Sequence, residues 1–336
     1  MKVLIIGGTG IISTGIVKAL KERGASITVF NRGRTDDRLG ADVHRIVGDR
    51  QDFATFEKTI SAAGPWDVVI DMICFVPAEA ESTLRAIRGG CGHFIFCSTV
   101  CTYGNTQTTI PTDETTPQNP HSAYGRGKLA CEAIFLRAHA DGSLPVTVLR
   151  PSHTYGPGGG IINNLNTDLS FVSRLRAGRP VLVSGDGHGL WQSAYCDDVG
   201  RGFAYCAGNP GCFGEAFNAV GDEVVTWDDY TLRTAAGIGA PQPKLIHVPT
   251  DLLLAIAPER YASLGEIFRY HGAYSNTKLK RAVPEFRMTM RYEEGIRRTV
   301  EWLDRHGRIP AYEPALEDRI IDAWEKFATG TREQLR

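Results

Sequence analysis

The chain has 336 residues, of which 42% are hydrophobic and 22% charged, and it carries 37 Lys plus Arg against 38 Asp plus Glu. At roughly 150 residues per domain, this length suits about two domains, or one large α/β unit with an appended lobe. The composition excludes wholesale disorder, and the balanced charge removes any overall basic field that would attract nucleic acid.

The first half alternates apolar runs with helical patterns. Strands are predicted at residues 3–6, 27–30, 44–47, 68–70, 94–96 and 146–149, and helices at 11–23, 53–62, 79–87 and 123–139. Continuous apolar strands separated by helices of this length indicate a parallel sheet covered on both faces. Right-handed crossovers make it a doubly wound, Rossmann-type α/β fold. After Arg150 the rhythm breaks. Residues 156–160 read as a loop, 169–177 as a helix and 181–183 as a strand. The chain is expected to return to the sheet around 194–207 and 216–220. Further helices are predicted at 227–237, 251–256, 292–306 and 316–327.

The Gly-rich turn at residues 7–13 lies between the first strand and the first helix. Glycine allows positive φ and close approach of the backbone to a pyrophosphate, and the helix N-terminus offers unpaired N–H groups to an anion. Gly7, Gly10, Ile11 and Ile12 are the expected pyrophosphate contacts. Ser13 takes the slot where a third glycine usually eases packing. Strand two ends in Asn31, Arg32, Gly33 and Arg34. A carboxylate there would repel a 2′-phosphate, whereas these arginines suit one. The cofactor is therefore NAD or NADP, with a lean towards NADP; the alternative is that both arginines are merely solvated. After strand three come Asp49, a candidate acceptor for the adenine amine, and Arg50 beside it. The expected division is a dinucleotide-binding domain over 1–155, rejoined by 185–220. A substrate-binding lobe over 156–184 and 221–336 would lie above the C-terminal ends of the strands.

Tyr124 and Lys128 are four apart on a predicted helix and so share a face. A free phenol has a pKa near ~10 and is a poor base at neutral pH; a nearby ammonium favours the phenolate. Ser98 and Thr99 end strand five, about 25 residues earlier, where a hydroxyl could hold a substrate oxygen.

At this point the sequence resembles the extended short-chain dehydrogenase/reductases, in their NAD-dependent epimerase/dehydratase branch. The matching motifs are residues 7–13, Gly48-Asp49, 98–104, 124–128, 150–158 and Asp197-Asp198, in the family's order. The resemblance implies an enzyme in which Tyr124 is the general acid/base, Lys128 lowers its pKa and binds the nicotinamide ribose, and Thr99 holds the reacting oxygen. Ser98 is the neighbouring candidate. It implies hydride transfer at a secondary hydroxyl of a sugar or nucleotide-sugar through a transient ketone.

Three departures bear on substrate. Val100 and Cys101 stand where 4,6-dehydratases carry an Asp-Glu pair. His153 and Trp191 stand where nucleotide-sugar enzymes have Asn and Arg, so His153 is a candidate phosphate or sugar ligand and Trp191 a candidate stacking surface. Asn163, Asn164 and Asn166 are possible polar contacts in the loop between them. Cys101 falls where a 3,5-epimerase of this family carries a Cys acid/base, with a buried inert thiol as the alternative. Arg85, Arg88 and Glu132, with their helices, are candidates for a homodimer interface; a solvated helix face is the alternative.

The eight cysteines form no C-x-x-C pair, and the nine histidines show no metal spacing; no metal is expected. With no secretory leader pattern and no apolar run near the ~20 residues of a membrane span, the expected setting is a reducing cytoplasm. Two alternatives to the epimerase reading are an NADP-dependent carbonyl reductase of a non-nucleotide substrate and a non-catalytic dinucleotide- or RNA-binding regulator.

Overall fold

A computed structural model describes residues 1–34, 39–105 and 109–336. Its first compact unit comprises Met1–Gly156, Gln192–Glu223 and Ala273–Met290. The second comprises Pro157–Trp191, Val224–Gly272 and Arg291–Arg336. The chain opens with β1 (Lys2–Ile6), α1 (Ile11–Glu22), β2 (Ser26–Asn31), β3 (His44–Val47), α2 (Phe53–Ala63), β4 (Trp66–Asp71), α3 (Pro77–Ile87) and β5 (Cys91–Cys97). It continues through α4 (Ala123–Ala140), β6 (Val146–Pro151), β7 (His153–Tyr155), α5 (Ser170–Arg176), β8 (Val181–Ser184), β9 (Leu190–Tyr195), α6 (Cys196–Cys206) and β10 (Ala216–Ala219). The remainder is β11 (Val224–Thr226), α7 (Trp227–Gly237), β12 (Leu245–Val248), α8 (Thr250–Ile256), α9 (Thr277–Ala282), α10 (Tyr292–Arg305) and α11 (Leu316–Gln334).

Seven strands of the first unit form one parallel sheet in the order β10-β6-β5-β4-β1-β2-β3. Alternate residues of β1 feed opposite apolar layers, as the period of two requires. Val3 and Ile5 join Ile16, Leu20, Val199 and Phe203 on one face. Leu4 and Ile6 join Phe56, Phe94, Phe96 and Phe135 on the other. The strand order reverses between β1 and β4, the switch point at which open α/β sheets bind ligands.

The expected return to the sheet is corrected in part. Of the two returns to the sheet, only residues 216–219 join it, as β10 beside β6. Residues 193–195 instead pair in parallel with 153–155 of β7, and Cys196–Cys206 is the helix α6. Its apolar positions Val199, Phe203 and Cys206 recur every three or four residues, a helical period. Asp197 and Asp198 sit in its first turn, where the helix dipole favours them. Asp198 also accepts the backbone N–H of Thr289 and Met290 at 3.1 and 3.0 Å. These bonds tie residues 273–290 into the first unit. Helices α1 and α6 touch backbone to backbone: a Cβ on Gly200 would lie 2.2 Å from the Gly15 carbonyl carbon.

Glu132 turns inward and is not on a surface helix face. It is 2% exposed and pairs with Arg150 at 2.6 Å. Its Oε1 also accepts the Ser98 hydroxyl, and its Oε2 accepts Gln118 Nε2 at 3.1 Å. A buried carboxylate needs such partners. Arg85 remains on the surface, paired with Glu57 at 2.8 Å.

In the second unit β8 and β12 pair in parallel. Residues 316–334 form one continuous helix, longer than predicted. Among the described residues no helix is long and apolar enough to cross a membrane.

His93, on β5, makes a testable contribution to stability. Its Nδ1 accepts the Gly208 N–H at 3.1 Å, which leaves Nε2 to donate to Thr147 Oγ1 at 2.9 Å. This arrangement fits only the neutral ring, and burial pushes its pKa down to about 4. The unfolded chain takes up this proton near pH ~6.5, so folding loses stability as pH falls from there towards 4, by ~3 kcal/mol at most. Urea titrations at pH 7 and pH 4.5 should show a smaller acid loss for His93→Gln than for wild type; equal losses would refute the assignment.

Candidate active site

The turn after β1 is built to admit a backbone-hugging anion. Gly7 and Gly8 hold φ of 108° and 92°, and a Cβ on Gly8 would fall 2.5 Å from Val29 Cγ1. Gly10 caps α1 without a side-chain hydrogen bond, so the first N–H groups of the helix are left for a ligand. Asn31 fastens this turn to β2: its Nδ2 donates to Gly7 O at 3.1 Å and its Oδ1 accepts Gly33 N–H at 2.9 Å. With both ends engaged, Asn31 shapes the turn and leaves charge recognition to its neighbours.

Two clefts meet at this turn. One, of about 280 Å³, is lined by Gly7, Asn31, Arg32, Arg34, Asp49 and Arg50 among others. Arg32 and Arg34 have no ion-pair partner among the described residues, and Asp49 Oδ1 accepts the Gln51 N–H at 3.0 Å. Arg50, by contrast, is 4% exposed. Its Nη1 spans both Asp71 oxygens at 3.1 and 3.0 Å, and its Nη2 reaches Glu79 O and Thr83 Oγ1 at 2.9 and 2.8 Å. It braces the floor of this cleft.

The second cleft, of about 390 Å³, brings residues 7–13 together with Ser98, Thr99, Tyr124 and Lys128. The short turn after β5 is capped by Thr99, whose Oγ1 accepts the Cys101 N–H at 3.2 Å. That side chain also lies close enough to the Tyr124 hydroxyl to favour its phenolate. Ser122 caps α4 by accepting the Gly125 N–H at 3.0 Å, which sets the helical register that puts Tyr124 and Lys128 on one face. Lys128 is 1% exposed and donates to Cys97 O at 2.7 Å. That carbonyl is its only acceptor among the described residues, which leaves two ammonium N–H groups for a ligand.

The Tyr124 pKa runs against the simplest expectation. Nearly half its surface is open, yet burial around its hydroxyl, followed by Cys97 and Cys101, raises the pKa above that of a free phenol, and Thr99 offsets only part of this. The Tyr124 ring centroid is 5.9 Å from the Lys128 ammonium. The group is therefore a phenol at neutral pH in the free protein, ready to donate a proton. Burial likewise pushes the Cys101 thiol up, so it stays protonated.

The remaining candidates are engaged internally. Ser98 donates to Glu132, and His153 Nδ1 meets Ser193 Oγ at 2.8 Å. In the second unit, Asn164 exchanges hydrogen bonds with Ser184 at 3.2 and 3.3 Å. Trp191 stacks on Trp227 at 4.6 Å, with the Phe268 ring edge-on at 5.3 Å. Sequence reasoning missed Gly127 and Phe75 beside Lys128. The nearest signal was a second glycine inside the Tyr124–Lys128 stretch.

The residues present fit a nicotinamide dinucleotide. The glycine turn can be approached by phosphate, and a buried ammonium faces the cleft with N–H groups to spare. The fold and this site define a dinucleotide-dependent enzyme of the short-chain dehydrogenase/reductase type. Residues 3–219 match the model of the NAD dependent epimerase/dehydratase family, and the chain belongs to that family. A 2'-dehydrokanamycin reductase of Streptomyces kanamyceticus is 28% identical over 328 residues, covering 96% of this chain and 90% of that protein. The chloroplast stem-loop binding protein of 41 kDa b from Arabidopsis thaliana is 29% identical over 259 residues, 73% of this chain and 65% of that one. The solved structure of an epimerase from Methanothermobacter thermautotrophicus superposes with a TM-score of 0.74 at 16% identity, covering 91% of this chain and 93% of that one.

Proposed function

We propose that this protein is an NADP(H)-dependent oxidoreductase that interconverts a ketone and a secondary hydroxyl on a sugar, working chiefly as a reductase. The observation that carries this reading is the convergence of Thr99, Tyr124 and Lys128 in one cleft with the glycine turn. The dinucleotide, when bound, supplies the hydride. Thr99 and Tyr124 hold the carbonyl oxygen between two hydroxyls, and Tyr124 gives it a proton as the carbon is reduced. Lys128 would fix the ribose with the two N–H groups its bond to Cys97 O leaves over. With its pKa raised, Tyr124 carries at neutral pH the proton that reduction needs. The full-length likeness to a protein named as a 2'-dehydrokanamycin reductase supports the same direction. Trp191 stands where nucleotide-sugar enzymes carry Arg, which favours a substrate without a nucleotide diphosphate.

Arg32 and Arg34 would select the 2′-phosphate. A charge-assisted hydrogen bond contributes roughly 1.5–3 kcal/mol. Arg32→Ala and Arg34→Ala should therefore each weaken NADPH binding about 10- to 100-fold and leave NADH within about twofold; equal loss for both dinucleotides would refute this role. The functional test is NADPH consumption by the purified protein on a panel of keto sugars. A dinucleotide retained through gel filtration, with epimer interconversion and no net redox change, would establish the epimerase instead. Stem-loop RNA binding without turnover on any carbonyl would establish a binding protein.

A further inference from the structure

Phe75 stands where the two clefts meet. It lines both of them, and 42% of it is exposed, whereas Cys74 beside it is buried. Its backbone is fixed on two sides. The Phe75 N–H donates to Glu79 Oε2 at 2.5 Å. The Phe75 carbonyl lies against Gly127, where a Cβ would come within 2.3 Å of its oxygen. Any larger residue at 127 would push this loop away from α4. The glycine thus brings Phe75 next to Lys128.

The Lys128 ammonium lies 4.5 Å from the Phe75 ring centroid, 4.9 Å from that of Phe96 and 5.9 Å from that of Tyr124. Burying an ammonium is costly unless its charge is compensated. Here one carbonyl and the faces of neighbouring rings provide that compensation, through hydrogen bonding and the ring quadrupole. Phe96 is buried in the sheet, whereas Phe75 forms the wall between the ammonium and solvent.

We propose that Phe75 is a positioning residue: its ring closes an aromatic cage that keeps the Lys128 ammonium dry and aimed at the bound dinucleotide. This rests on the reading of Lys128 as a dinucleotide contact. The cage acts by its quadrupole as well as by covering the charge, so an aliphatic residue of similar size cannot replace it.

The test is a double-mutant cycle on the full chain, read by NADPH fluorescence titration, with thermal unfolding as the check on folding. Phe75→Leu should weaken NADPH binding about tenfold, and Phe75→Tyr should stay within about twofold of wild type. In a Lys128→Met background, Phe75→Leu should change binding less than about twofold, because the group it acts through is gone. Wild-type affinity in Phe75→Leu, or equal losses in both backgrounds, overturns the proposal and makes Phe75 a space-filling residue. A wild-type protein that binds no dinucleotide overturns the functional reading as well, which separates the two failures.

Discussion

Replacing Tyr124 with Phe should lower kcat about 10³-fold and leave NADPH affinity within about threefold. The substitution removes one oxygen and keeps the ring that faces Phe75 at 6.3 Å and Lys128 at 5.9 Å. A positioned acid or base contributes roughly 10²–10⁴-fold. The Cys101 thiol is held protonated by burial. The pH dependence carries a sign. Because the Tyr124 pKa is raised, reduction, which needs the phenol, should be flat through neutral pH and fall only in alkali. Oxidation, which needs the phenolate, should climb with pH over the same range. Steady-state rates in both directions from pH 6 to pH 10 test this; a reductive rate that rises with pH, or a Tyr124→Phe enzyme within tenfold of wild type, would remove Tyr124 from the mechanism.

Glu132→Ala should cost about 3–5 kcal/mol of folding stability, the range for breaking a buried ion pair from one side. The loss leaves Arg150, 4% exposed, with its charge uncompensated. Its Nε and Nη2 now reach Glu132 at 3.0 and 2.6 Å, and only Nη1 keeps a partner, the Tyr103 hydroxyl at 2.9 Å. Burial works against the Arg150 charge, but the Glu132 contacts and the Tyr103 hydroxyl outweigh it and hold the pKa above the ordinary guanidinium range; a guanidinium left alone is too basic to escape by losing its proton. The double change Glu132→Leu with Arg150→Met should recover much of the loss, since an apolar pair of similar volume removes both charges together. Urea denaturation of the two variants and the wild type checks this. A single Glu132→Ala within 1 kcal/mol of wild type would show that the pair contributes little. Ser98 also bonds Glu132, so the turn carrying Thr99 should loosen in the single variant and activity fall with stability.

Local signals made much of this protein legible. Runs of three or four mainly apolar residues marked the strands of the main sheet through β6, because a strand buried on both faces is apolar along most of its length; the half-buried edge strand β3, with His44 and Arg45, is the exception. The glycine turn was readable for a similar reason: φ near 100° at Gly7 and Gly8 is open to few residues besides glycine. The Tyr124–Lys128 spacing fixes a shared helix face wherever the helix lies. These features depend on residues close in sequence.

The tertiary structure decided matters that depend on residues far apart. A charged residue has the same sequence signature on a solvated helix face as in a buried pair; only the approach of β6 to α4 assigns Glu132 to Arg150. The sequence places Arg50 beside a nucleotide, and Asp71, twenty-one residues on, turns it into a brace. Trp191 reads as a free stacking surface until Trp227 covers it. Gly127 and Gly200 look like ordinary helix glycines, and only the loop and helix that come within touching distance give them a purpose. The physical reason is common to all of these. Periodicity reports which face of an element is apolar, whereas the partner of a charge, a ring or a missing side chain is set by long-range packing that no local pattern encodes.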